Sequence, residues 1–168
     1  MLAAVQPCPT DLISRNLESV AAAMNGSWLL DKSRSDPIGP FLKFLGLPWA
    51  LQKLADSATP NRTFQLSSSG MIDTQVTSGL LGRTQRQEWF WSETPMTLPV
   101  GGTFPAFLTF HTDGRLVTKI AHAKGTILTV FEAVVSEGTH LVLSLRMICV
   151  DNSGQEVVNA KRVFTRAA

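Results

Sequence analysis

The feature that most constrains this fold is an alternation of apolar and polar residues with a period of two, repeated from Arg62 to the end of the chain. Each repeat is short, and glycine-containing turns such as Thr112-Asp113-Gly114 and Asn152-Ser153-Gly154 separate neighbouring repeats. These turns are typical of hairpins between antiparallel strands. The predicted strands are Ser27–Asp31, Arg62–Ser68, Met71–Thr77, Arg83–Trp91, Met96–Val100, Phe104–Thr112, Leu116–Ala123, Ile127–Val135, His140–Val150 and Glu156–Arg166. Consecutive hairpins predict an all-β, up-and-down antiparallel barrel of about ten strands, closed on itself because closure removes exposed edges.

Helical patterns occur at two places outside this meander. Gly39-Pro40 follows the first strand, and two short apolar helical segments, joined by Gly46-Leu47-Pro48, end before Pro60. A third, amphipathic helix is predicted to end at Asn25-Gly26. We therefore divide the chain into an N-terminal extension with an amphipathic helix, residues 1–24, and a barrel, residues 25–168. The extension packs on the barrel or, alternatively, acts as a docking element.

Composition describes a single globular domain and excludes several functions. Of 168 residues, 44% are hydrophobic and 17% are charged, which argues against disorder. The net charge of +2 and the absence of a Lys/Arg run argue against nucleic-acid binding and allow at most transient contact with a membrane surface. The two cysteines and the poor match of residues 1–7 to a signal peptide lead us to expect a cytoplasmic protein, and we expect a monomer.

A barrel of ten strands encloses more space than side chains fill, so an internal cavity is expected. Cavities of this kind suit small apolar molecules. Fold class therefore leads to a hypothesis of ligand binding.

The order of elements resembles the intracellular fatty-acid-binding protein family, within the wider lipocalin-like, or calycin, group of barrels. The resemblance covers residues 25 to 166 and depends on the Gly26-Ser27-Trp28 opening, the two-helix insert, the Asp113-Gly114 hairpin and the Arg162 to Arg166 ending. It implies that the two helices form a lid over the entrance and that an apolar ligand lies inside. It also implies that Arg166 packs on Trp28 where the barrel closes, through a cation–π contact.

In that family an Arg-x-Tyr pair on the last strand, with a second arginine two strands earlier, typically holds the ligand carboxylate. Arg162 matches the first position, whereas Phe164 replaces the tyrosine, and the second arginine falls near Glu132. An inward Arg162 requires a negative partner, because an unpaired buried guanidinium is very unfavourable. Two alternatives stay open for that partner, a ligand anion or Glu132.

Several other residues are candidates for the ligand site. Trp89 and Trp91 share one strand face, Phe41 and Phe44 lie on the first insert helix, and Lys119 is either an inward cation or an outer, solvated residue. The predicted ligand-binding residues are Arg162, Phe164, Glu132, Lys119, Trp89, Trp91, Phe41 and Phe44.

The sequence predicts binding and carriage of a small hydrophobic or amphipathic molecule, such as a fatty acid, another lipid, an isoprenoid or a pigment. The alternative is a cofactor-free isomerase, cyclase or oxygenase that acts on such a molecule, with Glu132 as acid or base. No cofactor or metal is expected, because His111, His122 and His140 lack metal-ligand spacing.

Overall fold

A computed structural model of the chain describes residues 10–77 and 83–167, with side chains from Asn16 onward. The predicted N-terminal tail and the turn expected at Ser78-Gly79 lie outside the described residues.

The described residues form three helices and one antiparallel sheet of eleven strands. The helices are α1 (Thr10–Met24), α2 (Gly39–Phe44) and α3 (Trp49–Ser57), and one 3-10 turn lies at Lys32–Arg34. The strands are β1 (Gly26–Leu30), β2 (Asn61–Ser67), β3 (Gly70–Thr77), β4 (Arg83–Trp89), β5 (Thr94–Thr97), β6 (Thr103–Phe110), β7 (Leu116–His122), β8 (Gly125–Phe131), β9 (Val135–Glu137), β10 (His140–Asp151) and β11 (Glu156–Arg166). The predicted meander with a helical insert after the first strand is confirmed.

Ten strands follow one path, in the order β4-β3-β2-β1-β11-β10-β8-β7-β6-β5, and the short β9 pairs with β10. The first and last strands therefore lie side by side, and Trp28 of β1 is the register partner of Arg166 of β11. One predicted strand is divided, since β8 ends at Phe131 and β9 begins at Val135.

The sequence also predicted that the barrel closes fully, and in the described residues the sheet does not close. The sheet path ends at β4 on one side and at β5 on the other, without a ladder between them. A backbone hydrogen bond of 2.8 Å from the Leu108 N–H to the Phe90 carbonyl joins the two sides just beyond the end of β4. The edge strand β5 has four residues and includes Pro95, which has no N–H to donate, as is common on edge strands.

Helix α1 packs over one end of the barrel. Leu17 and Met24 belong to the buried core, and the indole Nε1 of Trp28 donates a 2.8 Å hydrogen bond to the Met24 carbonyl. Immediately after the helix, the side-chain amide of Asn25 bonds to the backbone N–H and carbonyl of Leu66 on β2. These contacts attach the helix to the barrel.

Arg166, at the end of β11, contacts both the first strand β1 and helix α1. Its guanidinium carbon lies 5.1 Å from the ring centroid of Trp28, which is fully buried, and Nη1 donates to the Ala23 carbonyl at 3.2 Å. A Cβ at Gly26 would lie 2.6 Å from the Arg166 guanidinium, so the close approach requires glycine. The expected cation–π contact between Trp28 and Arg166 is present.

The lid helices are tied to each other and to the last strand. The Asp56 carboxylate of α3 accepts a 2.8 Å hydrogen bond from the Gly39 N–H at the start of α2. Asp36, in the segment that leads into α2, pairs with the Lys161 backbone through its own N–H and its carboxylate. The two lid helices are therefore joined to each other, and the segment before them attaches the lid to β11.

Candidate ligand-binding site

A cavity of about 320 Å³ lies inside the barrel, beneath the lid helices. One wall is apolar and comes from the lid and from strands β7, β8, β10 and β11. Its main members are Phe41, Leu42, Leu45, Leu51, Ile120, Ile127, Phe131, Met147 and Phe164. Aliphatic and aromatic side chains of this kind suit the hydrocarbon part of a ligand.

The facing wall, on strands β3 and β4, is polar. Its members are Asp73, Gln75, Thr77, Arg83, Gln85, Gln87 and Trp89. Strand register places Gln75 opposite Gln85, and Asp73 opposite Gln87. Trp89 is only 6% exposed, and its indole N–H has no hydrogen-bond partner among the described residues. This wall therefore offers hydrogen-bonding groups to whatever fills the cavity.

Arg62 and Asp73 form an ion pair at the base of the polar wall. The distance from Nη2 to Oδ2 is 2.5 Å, and a second contact from Nε to Oδ1 measures 3.3 Å. Arg62 also lies 5.1 Å from the ring centroid of Phe64 and 5.7 Å from that of Phe164. The charge of Arg62 is thus satisfied by the protein itself.

Arg162 is the second arginine of the cavity, and it is buried, with 6% exposure. Its Nη1 donates a 2.7 Å hydrogen bond to the backbone carbonyl of Asp36. Within the described residues no carboxylate lies within ion-pair distance of it. Burial, followed by the nearby charge of Arg62, lowers the pKa of its guanidinium, and the carboxylates of Asp56 and Asp36 partly oppose this shift. Phe164, two residues later, lines the same cavity, and its ring, which has no hydroxyl, lies against Arg62 at 5.7 Å.

Half of the residues predicted for the site line the cavity. Arg162, Phe164, Trp89 and Phe41 are among the lining residues. Three of them lie on the inward face of a strand, where side chains alternate between the two faces, and Phe41 lies on the lid helix α2.

Glu132 lies elsewhere, and the Arg162–Glu132 pair that the sequence left open is not formed. Phe131, its neighbour on β8, points into the cavity, so Glu132 points outward. Its Oε1 lies 3.4 Å from Nη1 of Arg115, at a partly exposed position. The register error was a single residue, which in a strand exchanges the inner face for the outer one.

Lys119, Trp91 and Phe44 also lie away from the cavity. Lys119 faces outward between two inward residues of β7, with Nζ 5.7 Å from the ring centroid of Phe107. Trp91 follows the end of β4 and stacks on Phe110 at 5.3 Å. Phe44 packs near His122, with ring centroids 5.9 Å apart, and lines a separate groove.

The sequence did not lead us to predict Arg62, Asp73 or the glutamines of the polar wall as residues of the cavity. The available signal was that β4, from Arg83 to Glu88, is polar on both faces. A strand without an apolar face indicates that the side toward the barrel interior is also polar.

Within the described residues, no group of three His, Cys, Asp or Glu side chains could hold a metal ion. None of the described helices is both long enough and apolar enough to cross a membrane. Burial raises the pKa of the Cys149 thiol to about 12, which makes it a packing residue of the core.

No family model and no curated protein matches the chain. Solved structures do match it in fold. A Schistosoma mansoni fatty acid binding protein in complex with arachidonic acid aligns with a TM-score of 0.66 and 17% identity, over 89% of this chain and 99% of that chain. Human cRBP IV aligns with a TM-score of 0.67 and 21% identity, over 86% and 98%, and the fluorescent protein UnaG aligns with a TM-score of 0.66 and 17% identity, over 88% and 99%. The chain therefore has the β-barrel fold of the fatty-acid-binding proteins, with a helical lid.

Proposed function

We propose that this protein binds and carries a small hydrophobic molecule with an anionic head group, such as a fatty acid, another acidic lipid, an isoprenoid acid or a pigment. The ligand occupies the cavity of about 320 Å³, with its head group at Arg162 and its hydrocarbon part against the apolar wall. The proposal includes action as a monomer in the cytoplasm. One of the similar structures, the Schistosoma mansoni protein, is a complex with arachidonic acid, which agrees with this proposal.

The observation that carries the proposal is the incomplete charge balance of the cavity. Arg62 is neutralised by Asp73, whereas Arg162 is buried with a backbone carbonyl as its hydrogen-bond acceptor. Charged groups are seldom buried unless they are paired, since removing a charge from water is costly. A ligand carboxylate at Arg162 supplies the missing charge and relieves the depression of its pKa.

The apolar wall supplies the rest of the affinity. Removing apolar surface from water is worth about 25 cal/mol per Å², so a tail that hides about 200 Å² gains roughly 5 kcal/mol before the cost of association. Phe41 and Leu42 of α2 contribute to this wall, so the lid takes part in binding.

The position of Glu132 does not favour the alternative of an enzyme that uses its carboxylate as acid or base. The Glu132 carboxylate pairs with Arg115 outside the cavity, so it cannot exchange a proton with a bound molecule. The carboxylate that does line the cavity, Asp73, is engaged by Arg62.

The test compares a charged and an uncharged ligand on delipidated protein, with palmitate and all-trans-retinol titrated by calorimetry. Arg162→Met is expected to weaken palmitate binding by tenfold or more and to change retinol binding much less. Lys161→Met is the matched control, because Lys161 is an exposed cation on the same strand. Circular dichroism of each variant checks that it is folded, and native mass spectrometry reports the oligomeric state.

Two results would overturn the proposal. Failure of the delipidated wild-type protein to bind any acidic lipid of a chain-length series would reject carriage of such ligands. Equal palmitate affinity of folded Arg162→Met and wild-type protein would remove Arg162 from the site.

A further inference from the structure

The polar wall forms a continuous track from the exterior to the core. On β4, the inward residues are Arg83, Gln85, Gln87 and Trp89, which alternate with outward residues. Arg83 is exposed and Trp89 is buried. The six steps from Arg83 to Trp89 along the strand cover about 20 Å, so the track is comparable in length to an extended lipid chain.

Strand β3 widens this track. Gln75 stands opposite Gln85, and Asp73 stands opposite Gln87. Directly opposite side chains on one sheet face have Cβ atoms roughly 5 Å apart, so the amide groups form a patch and not a single isolated contact. Asp73 is already engaged by Arg62, whereas Gln75, Gln85 and Gln87 line the cavity with uncharged amide groups.

The Trp89 indole is an independent sign that a polar ligand group is expected here. Trp89 is one of the lining residues of the cavity, and its N–H is buried and has no acceptor among the described residues. Leaving a buried donor without an acceptor is unfavourable, because the donor has lost its hydrogen bonds to water. A plain hydrocarbon tail against this wall would leave that cost unrelieved and would remove water from the glutamine amides as well.

We propose that the natural ligand is an oxygenated amphiphile, with hydroxyl or carbonyl oxygens along one side of its hydrocarbon part and hydrocarbon along the other. This inference rests on the proposed function and narrows its ligand class. The oxygen atoms accept hydrogen bonds from the Trp89 indole and from the Gln85 and Gln87 amides. The opposite side of the ligand contacts Ile120, Ile127 and Met147 of the apolar wall.

The first experiment compares palmitate with its mono- and dihydroxylated derivatives, hydroxylated at positions along the chain, by calorimetry on delipidated wild-type protein. All of these probes share one carboxylate and one chain length, so their difference reports the polar wall. At least one hydroxylated probe is expected to bind fivefold or more tightly than palmitate. Palmitate that binds as tightly as or more tightly than every hydroxylated probe would overturn the inference.

Variants then test whether the preference for hydroxylated probes over palmitate depends on the polar wall. Gln85→Leu combined with Gln87→Leu is expected to abolish the preference for the hydroxylated probe over palmitate. Trp89→Phe keeps an aromatic ring, lacks the N–H, and should lower the preference in part. The matched control is Thr84→Leu combined with Arg86→Leu, which makes two polar-to-leucine changes on the exposed face of the same strand.

The outcomes separate this inference from the proposed function. Binding of palmitate together with no preference for oxygenated probes rejects the inference and leaves the carrier proposal standing. Absence of binding by all probes rejects the carrier proposal. A preference that survives in the folded Gln85→Leu, Gln87→Leu and Trp89→Phe variants also overturns the inference, because the polar wall would not be its source.

Discussion

Arg62 and Asp73 are joined by an ion pair within the barrel, with Nη2 of one 2.5 Å from Oδ2 of the other. The side chains are 15% and 7% exposed, so the pair is largely shielded from water. Arg162 lies close enough for the charge of Arg62 to lower its pKa. Of these two arginines, Arg62 is paired with a carboxylate, whereas Arg162 donates to a backbone carbonyl.

Asp73→Asn is expected to destabilise the apo-protein by about 3–5 kcal/mol, because Arg62 is left buried without its carboxylate. Urea unfolding measures the change. The same variant adds one positive charge to the cavity, so palmitate is expected to bind more tightly and to recover part of the lost stability. Asp113→Asn is the control, since it removes a partly exposed partner of Arg115 and should cost about 1 kcal/mol or less. If the two variants lose the same free energy of unfolding, the Arg62–Asp73 pair is not the source of the destabilisation in Asp73→Asn.

Gly26→Ala is expected to destabilise the protein by about 1–3 kcal/mol. The φ of Gly26 is +128°, and an added Cβ would lie 2.6 Å from the Arg166 guanidinium that covers Trp28. Thermal unfolding and the fluorescence of the buried Trp28 report the displacement. Gly138→Ala is the control, because Gly138 has a φ of +59° and no atom within 4 Å of the added Cβ. A loss in Gly26→Ala no larger than in Gly138→Ala would contradict the close approach of Arg166.

The stability of the protein is expected to fall as the pH drops below about 6.5, through protonation of His122. Burial against Phe104, whose ring centroid is 4.3 Å away, lowers the pKa of His122 below its ordinary value of 6.5, and Lys124 lowers it further. Below pH 6.5 the unfolded state therefore binds more protons than the folded state, and the free energy of unfolding decreases until the folded pKa is passed.

His122→Asn is expected to reduce this slope, and it retains a side-chain oxygen that can accept the hydrogen bond from the Lys124 N–H. Thermal midpoints at a series of pH values provide the measurement. Asp113, Asp151 and Glu137 have pKa values held below their ordinary 3.8, 3.8 and 4.5, so their contribution is lost at more acidic pH. The same slope in wild type and His122→Asn near pH 6 would exclude His122 as the titrating group.

The strand and helix assignments were largely predictable because their signals are local. Glycine turns such as Asp113-Gly114 and Asn152-Ser153-Gly154 mark hairpins whatever the rest of the chain does. Pro40 and Pro48 likewise mark the starts of the lid helices. The gap between β4 and β5 was not predictable in this way, since a missing ladder depends on how two distant edges approach.

The site was predictable only in part because strand alternation separates two faces without saying which one is inner. Arg162 and Phe164 of the last strand line the cavity, whereas Glu132 follows the end of β8 and pairs with Arg115 outside the cavity. On β4 both faces are polar, so no apolar residue before Trp89 reveals the inward side.

The order of residues alone therefore accounts for the antiparallel meander, the lid after the first strand, and an arginine near the end that faces the interior. The partners of the charged side chains came from the three-dimensional arrangement: Asp73 for Arg62, the Asp36 carbonyl for Arg162, and Arg115 for Glu132. Turns and periodicity depend on neighbouring residues. Pairing across the sheet depends instead on register and on the path of the lid, which bring together distant residues such as Asp36 and Arg162, 126 positions apart.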